Sequence, residues 1–137
     1  MVRPIIRDQM LLAAKSKPAA KEDLSVALDL VDTLNANKDC CVGLAANMIG
    51  VLKRIIVVRA GLGNLVMINP VIVAHSKEQY EAEEGCLSLD GVRKTQRWQE
   101  ITVEYKDTSF VKRKGRFSDF TAQIIQHEID HCNGIII

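Results

Sequence analysis

The stretch His127-Glu128-Ile129-Asp130-His131 constrains the fold more than any other part of this chain. Residues four apart in a helix lie one turn above each other on the same face, so both imidazoles can reach one metal ion. Glu128 directly follows the first histidine, where its side chain can approach water on the ion without being a ligand. The pattern therefore predicts a helix that supplies two ligands and a base.

The residues before this stretch favour the same helix. Ser118 or Asp119 could cap its start, and Gly134 is a plausible stop. Apolar residues recur at helical intervals between these ends: Phe120, Ile124, Ile125, Ile129 and Cys132.

For the rest of the chain, the sequence predicts one helix followed by strands. Residues 21–37 have the spacing of an amphipathic helix. A hairpin is predicted from residues 54–59 and 65–68 around a turn at 61–64, and Asn69-Pro70 interrupts its second strand before residues 71–74 continue extended. Residues 79–89 lead to a turn at Asp90-Gly91. Residues 101–105 alternate apolar with polar side chains, as expected of a half-buried strand, and another strand ends near Phe117. We therefore predict an α+β fold in which mainly antiparallel sheets pack around the C-terminal helix, with an N-terminal amphipathic helix.

Composition narrows the functional class. The 137 residues suit one domain, 1–137, and the net charge is only +1, so no direct nucleic-acid site is predicted. No stretch approaches the ~20 apolar residues of a membrane helix, and no membrane partner is expected. The four cysteines lack the spacing of a disulfide framework and are interpreted as reduced thiols in a cytoplasmic protein.

A catalytic metal site of this kind needs a third protein ligand and an open position. Cys86 is the best candidate, because Gly85 and Ser88 suit a tight backbone near an ion. A thiolate with two imidazoles fits zinc or ferrous iron better than magnesium or calcium. His75, the one remaining histidine, is expected on the surface.

Three separated segments, residues 43–46, 84–88 and 126–131, resemble the motifs of the peptide deformylase family in their order. Arg97 with residues 101–107, and Gly50 after the first motif, extend the resemblance over most of the chain. The resemblance implies hydrolysis of the formyl group from the N-formylmethionine of nascent peptides. It also implies one divalent ion, with Fe2+ expected in the cell and Zn2+, Ni2+ or Co2+ as alternatives, and a transient contact with the ribosome.

The resemblance also implies roles for individual residues. Cys86, His127 and His131 would hold the ion, Glu128 would take and return the proton, and the backbone N–H of Leu87 would help to hold the oxyanion. The peptide and its methionine side chain would contact Val42, Gly43, Phe120 and Ile124. Glu84 would pair with Arg97 to steady the cysteine loop, and a plain surface ion pair is the alternative for these two.

Two residues depart from the family pattern. Met48 stands where the first motif has a glutamine, and Cys41 replaces its first glycine. A thioether has no proton to donate to an oxyanion, and losing one such donor typically costs ~10²–10³ in rate. Met48 could also reshape the pocket, because methionine is flexible. Reduced or altered activity is therefore expected.

Three alternatives remain at this point. A zinc peptidase would fit the two histidines and Glu128, although only six residues follow His131 to supply a third ligand. A deformylase-like binding or regulatory module without activity would fit Met48 and Cys41. In the third, Cys86 and the histidines never meet.

Overall fold

The computed structural model describes residues 1–61 and 63–137, and contains three α-helices and seven strands. The predicted turn at 61–64 includes Leu62, which lies outside the described residues. The helices are α1 (Gln9–Leu12), α2 (Leu24–Ala36) and α3 (Asp119–Cys132). The strands are β1 (Gly43–Ala45), β2 (Ile55–Ala60), β3 (Gly63–His75), β4 (Gln79–Cys86), β5 (Leu89–Trp98), β6 (Glu100–Lys106) and β7 (Lys112–Ser118).

The strands form two antiparallel sheets. The larger has the order β1-β2-β3-β6-β7, and the smaller is the β4–β5 hairpin. The short strand β1 lies at one edge of the larger sheet, in register with β2 from Gly43 opposite Val58 to Ala45 opposite Ile56. The other edge of β1 pairs with no strand among the described residues.

The core has two parts, one on each face of the larger sheet. Four consecutive residues of β2 are fully buried, because successive side chains of a strand point to opposite faces. Ile55 and Val57 belong to the part that contains Leu30 and Leu34 of α2. Ile56 and Val58, which point to the opposite face, belong to the other part of the core. That part also contains Met67, Ile101, Val103 and, from α3, Ile125. The sheet therefore separates the two helices.

Both long helices lie where the periodicity predicts them. The helix predicted over 21–37 begins as a 3-10 turn, Lys21–Asp23, in which the Asp23 carboxylate accepts a hydrogen bond from the Ala20 backbone N–H at 2.8 Å. The α-helical part then runs from Leu24 to Ala36. Helix α3 is buried along most of its length, because it packs against the larger sheet and also against β5.

Three local predictions are wrong. Asn69-Pro70 does not interrupt the strand: β3 continues through it with a register shift, and Asn69 adopts a φ of 53° while its amide bonds the backbone N–H and carbonyl of Ala19. The turn predicted at Asp90-Gly91 lies instead at Leu87-Ser88, since β5 already begins at Leu89. The residues before Lys21, for which an irregular start is predicted, contain α1, whose first N–H groups are capped by the Asp8 carboxylate.

The predicted α+β class with mainly antiparallel sheets and a C-terminal helix is confirmed. None of the helices among residues 1–61 and 63–137 is long and apolar enough to cross a membrane.

Candidate active site

Helix α3 and the end of β4 bring three side chains together. One ligand atom each from Cys86, His127 and His131 lies within 4.8 Å of the others, and both histidines are buried. The imidazoles come from successive turns of α3, with ring centroids 4.4 Å apart. The cysteine arrives from the other sheet, at the point where β4 turns into β5. The alternative in which these residues never meet is therefore wrong.

The cluster lies at a cleft with a volume of about 410 Å³. The residues predicted to contact substrate all line this cleft: Val42, Gly43, Met48, Phe120 and Ile124. Glu128, the predicted base, and Leu87, the predicted oxyanion donor, line it as well. An ordinary core position is the alternative for Val42, Phe120 and Ile124. Phe120 is 58% exposed and Val42 is 40% exposed, so neither is a core residue, whereas Ile124 is buried in the core and also lines the cleft. Gln123 and Glu83, for which no role is predicted, line the cleft as well.

The environment of Cys86 favours a thiolate. Burial raises the pKa of this thiol, but hydrogen bonds with His127 and His131 outweigh burial and lower the pKa to about 6. The Ser88 backbone N–H also donates to Cys86 Sγ at 3.4 Å. A deprotonated sulfur is the form that a metal ion binds.

Glu84 and Arg97 form a buried ion pair that reaches the first histidine. Nε and Nη2 of Arg97 donate to the two Glu84 oxygens at 2.9 and 2.6 Å. Nδ1 of His127 donates to Glu84 Oε1 at 2.7 Å, which leaves Nε2 of that ring free to bind an ion. Burial raises the pKa of Glu84, but His127 and Arg97 outweigh it and lower the pKa to about 2. The alternative of a surface pair is therefore wrong.

Asp130, for which the sequence predicts no role, also belongs to this network. Arg97 donates through Nη1 to Asp130 Oδ2 at 2.6 Å, so one guanidinium spans β4 and α3. The spacing of Asp130 alone indicates that it lies near His127, because residues three apart are neighbours on a helix surface. The partner on β5 could not be identified without the strand pairing.

Both ring nitrogens and the backbone carbonyl of His131 make close polar contacts. Its Nδ1 lies 2.9 Å from Glu128 Oε1, and its Nε2 lies 3.1 Å from the Ile137 carbonyl oxygen, so an ion bound to either nitrogen would replace one of these contacts. Nδ2 of the buried Asn47 donates to the backbone carbonyl of His131 at 3.0 Å. Burial lowers the pKa of His131, but the charge of Glu128 and the Cys86 contact raise it well above the ordinary value.

Gly43 is required by the close approach of β1 to α3. A Cβ built on this glycine would lie 2.7 Å from Cγ2 of Ile124 and 3.0 Å from Oε2 of Glu128. Real side chains do not tolerate the first distance, so any substitution would displace the strand or these two side chains. Gly43 therefore fixes where the Glu128 carboxylate can lie.

The two departures from the family pattern both lie at the cleft. Met48 is only 1% exposed and contributes a thioether where a hydrogen-bond donor was expected. The Cys41 thiol donates to the Gly43 carbonyl at 2.9 Å. Burial raises the pKa of Cys41 to about 12, so this thiol is protonated at neutral pH and is not a second thiolate beside Cys86.

The donor set can bind one borderline or soft divalent ion. A thiolate sulfur and two imidazole nitrogens are typical ligands of zinc and ferrous iron, and the adjacent cleft gives access to an open position. A buried carboxylate beside these ligands can accept and return a proton. The arrangement is therefore that of a hydrolytic metal centre.

Comparison with known proteins identifies the family to which this centre belongs. The family model described as polypeptide deformylase matches residues 2–137. The chain belongs to the polypeptide deformylase family. A peptide deformylase of Clostridium beijerinckii is 56% identical to it over 137 residues, which are 100% of both chains.

Solved peptide deformylases have the same fold. The class I type b enzyme of Acinetobacter baumannii, in a crystal structure with Met-Ala-Ser bound, has a TM-score of 0.90 and 28% identity over 99% of this chain and 97% of that one. The enzyme of Thermotoga maritima has a TM-score of 0.89 and 31% identity over 99% of this chain and 94% of that one.

These matches decide between the alternatives left open by the sequence. The predicted family and the predicted deformylase-type metallohydrolase are confirmed, and the zinc peptidase alternative is wrong. A binding module without deformylase activity is not favoured. Peptide deformylases bind one metal ion, in agreement with the single Cys/His/His cluster found among the described residues.

Proposed function

We propose that this chain removes the formyl group from the N-terminal methionine of nascent peptides, and that Cys86, His127 and His131 hold its one divalent ion. The observation that carries the proposal is the meeting of their ligand atoms within 4.8 Å at the cleft, with Glu128 beside them. We also propose that residues 1–137 act as one domain in the cytoplasm and contact the ribosome transiently.

The ion is proposed to be Fe2+ in the cell, with Zn2+, Ni2+ and Co2+ able to replace it. One sulfur and two nitrogen ligands suit each of these ions. When bound, such an ion polarises the formyl oxygen and lowers the pKa of water at the open position. The hydrogen bond from His127 to Glu84 orients that ring and increases its basicity as a ligand.

Glu128 is proposed to handle the proton. Its carboxylate is buried, lines the cleft and contacts His131 Nδ1 at 2.9 Å. It would accept a proton from the attacking water and return it to the peptide nitrogen when the C–N bond of the formamide breaks. Formate and a free amino terminus are then released.

The cleft is proposed to bind the substrate as an added strand. Strand β1 pairs on one side with β2, and no strand among the described residues pairs with its other edge, so the backbone near Gly43 can bond an extended peptide. The methionine side chain would contact Val42, Phe120 and Ile124. The Acinetobacter baumannii enzyme bound to Met-Ala-Ser supports a peptide that begins with methionine.

The oxyanion is proposed to receive one hydrogen bond fewer than is typical of the family. Leu87 would donate its backbone N–H, whereas Met48 has no proton to give. We therefore expect weaker deformylation than a glutamine at this position would permit. The metal ligands and Glu128 are intact, so the reaction itself is retained.

The test is formate release from an N-formylmethionyl tripeptide by protein purified without oxygen and loaded with Fe2+ or Co2+. The Glu128→Ala variant, loaded equally, gives the background. Release by the parent well above that background is the expected result. No release above the Glu128→Ala rate, with one ion bound per chain, would overturn the proposed activity.

A further inference from the structure

A small second cavity lies beside the metal-ligand cluster, with Cys86 and Met48 in its wall. Its volume is about 10 Å³, and Met48 lines both this cavity and the cleft. Asn47, Ser88 and His131 are also in its wall, and all three are buried. A space of this size is about what one water molecule needs.

Two residues of this wall each carry a polar atom without a partner among the described residues. Asn47 Oδ1 and Ser88 Oγ are buried and make no hydrogen bond with any described residue. The orientation of the Asn47 amide is fixed, because its Nδ2 donates to the His131 carbonyl at 3.0 Å. Leaving such groups without a partner costs free energy, and native proteins usually satisfy them.

We propose that the cavity binds one structural water molecule that donates a hydrogen bond to Asn47 Oδ1 and either donates to or accepts from Ser88 Oγ. Water is the ligand that fits, because the space admits a single small molecule and the wall offers one fixed acceptor and one hydroxyl. The thioether of Met48 cannot satisfy either atom strongly.

The water would join the two segments that carry the cluster. Asn47 holds the backbone of His131, and the N–H of Ser88 donates to Cys86 Sγ at 3.4 Å. A bridge between Asn47 and Ser88 therefore links α3 to the turn after β4. This inference does not depend on the deformylase reaction, so it stands or falls separately from the proposed function.

A high-resolution crystal structure of the metal-loaded parent tests the site directly. The expected result is an ordered water within about 2.7–3.2 Å of both Asn47 Oδ1 and Ser88 Oγ. An empty cavity, or a Ser88 hydroxyl that bonds a protein atom, would overturn the proposal.

Denaturation of Ser88→Ala gives a second test, with Ser16→Ala as the matched control. The Ser16 hydroxyl is also buried without a partner among the described residues, but Ser16 does not line this cavity. We expect the unfolding equilibrium constant to rise roughly threefold to tenfold in Ser88→Ala, because the water loses a partner. In Ser16→Ala we expect it to stay the same or fall, because that change removes a buried hydroxyl that has no partner among the described residues. An unchanged constant in Ser88→Ala would contradict the proposed water.

Discussion

At the scale of single residues, Met48 is proposed to limit how well the oxyanion is held. Its side chain is buried at the cleft and cannot donate a hydrogen bond. The Met48→Gln variant adds an amide donor, and we expect its kcat/KM for formate release to rise by up to ~10²-fold. Met48→Leu, which stays apolar, is the control and should show no gain. Equal rates in all three proteins would show that position 48 does not limit the reaction.

Gly43 leaves room for the side chains of Ile124 and Glu128 beside β1. In Gly43→Ala the new methyl group would collide with Ile124 and approach the Glu128 carboxylate. Because a displacement of about 1 Å can cost ~10²-fold in rate, we expect a loss of that order in kcat/KM. Steady-state kinetics measure it, and circular dichroism checks that the variant is folded. Full activity in a folded Gly43→Ala protein would refute the steric argument.

At the scale of elements, one guanidinium connects the hairpin to the metal helix. Arg97 on β5 contacts Glu84 on β4 and Asp130 on α3, and the Arg97 and Glu84 side chains are both about 5% exposed. Arg97→Met would leave the Glu84 carboxylate buried without its cation, although His127 still donates to it.

We expect Arg97→Met to lower the free energy of unfolding by about 3–5 kcal/mol. Urea denaturation with a chelator present measures this change without a contribution from the ion. Arg116→Met is the control, since Arg116 pairs with Glu100 on the exposed side of β6 and β7, and we expect little or no loss there because solvent screens an exposed pair. Equal losses in the two variants would mean that the Arg97 network does not stabilise the fold.

The elements also show which features a sequence can predict. His127 and His131 are four residues apart on one helix, so their common face follows from local geometry, as does the periodicity of α2. Cys86 follows only from its neighbouring residues and from the family motif, because its distance from the histidines depends on long-range packing. The contact of Arg97 with Asp130 depends on that packing as well.

The local errors have physical causes. Asn69 keeps β3 continuous because its side chain bonds the backbone of Ala19, fifty residues away, which stabilises a bulge that the Asn-Pro signal alone could not predict. The close approach of Gly43 to Glu128 and the orphaned Asn47 oxygen also depend on how β1 and α3 pack. No spacing rule in the sequence encodes such distances.

At the scale of the whole molecule, the ion should contribute to stability. The cluster joins α3 to the β4–β5 hairpin, and a ligand that binds only the folded protein stabilises it by about 2.7 kcal/mol at 100 times its Kd. We expect added Zn2+ or Co2+ to raise the Tm of chelator-treated parent protein, by an amount that grows with ion concentration. His131→Ala should lose most of this shift, and an equal shift in both proteins would place the stabilising ion elsewhere.

The ion proposed to bind Cys86, His127 and His131 should support deformylation of a formylmethionyl peptide. The most direct measurement is formate release as Fe2+ or Co2+ is added without oxygen to chelator-treated protein, with bound metal determined on the same samples. The rate should rise in proportion to bound metal and level off at one ion per chain. A chain that binds one ion and releases no formate, or a rate that does not follow bound metal, would contradict the account.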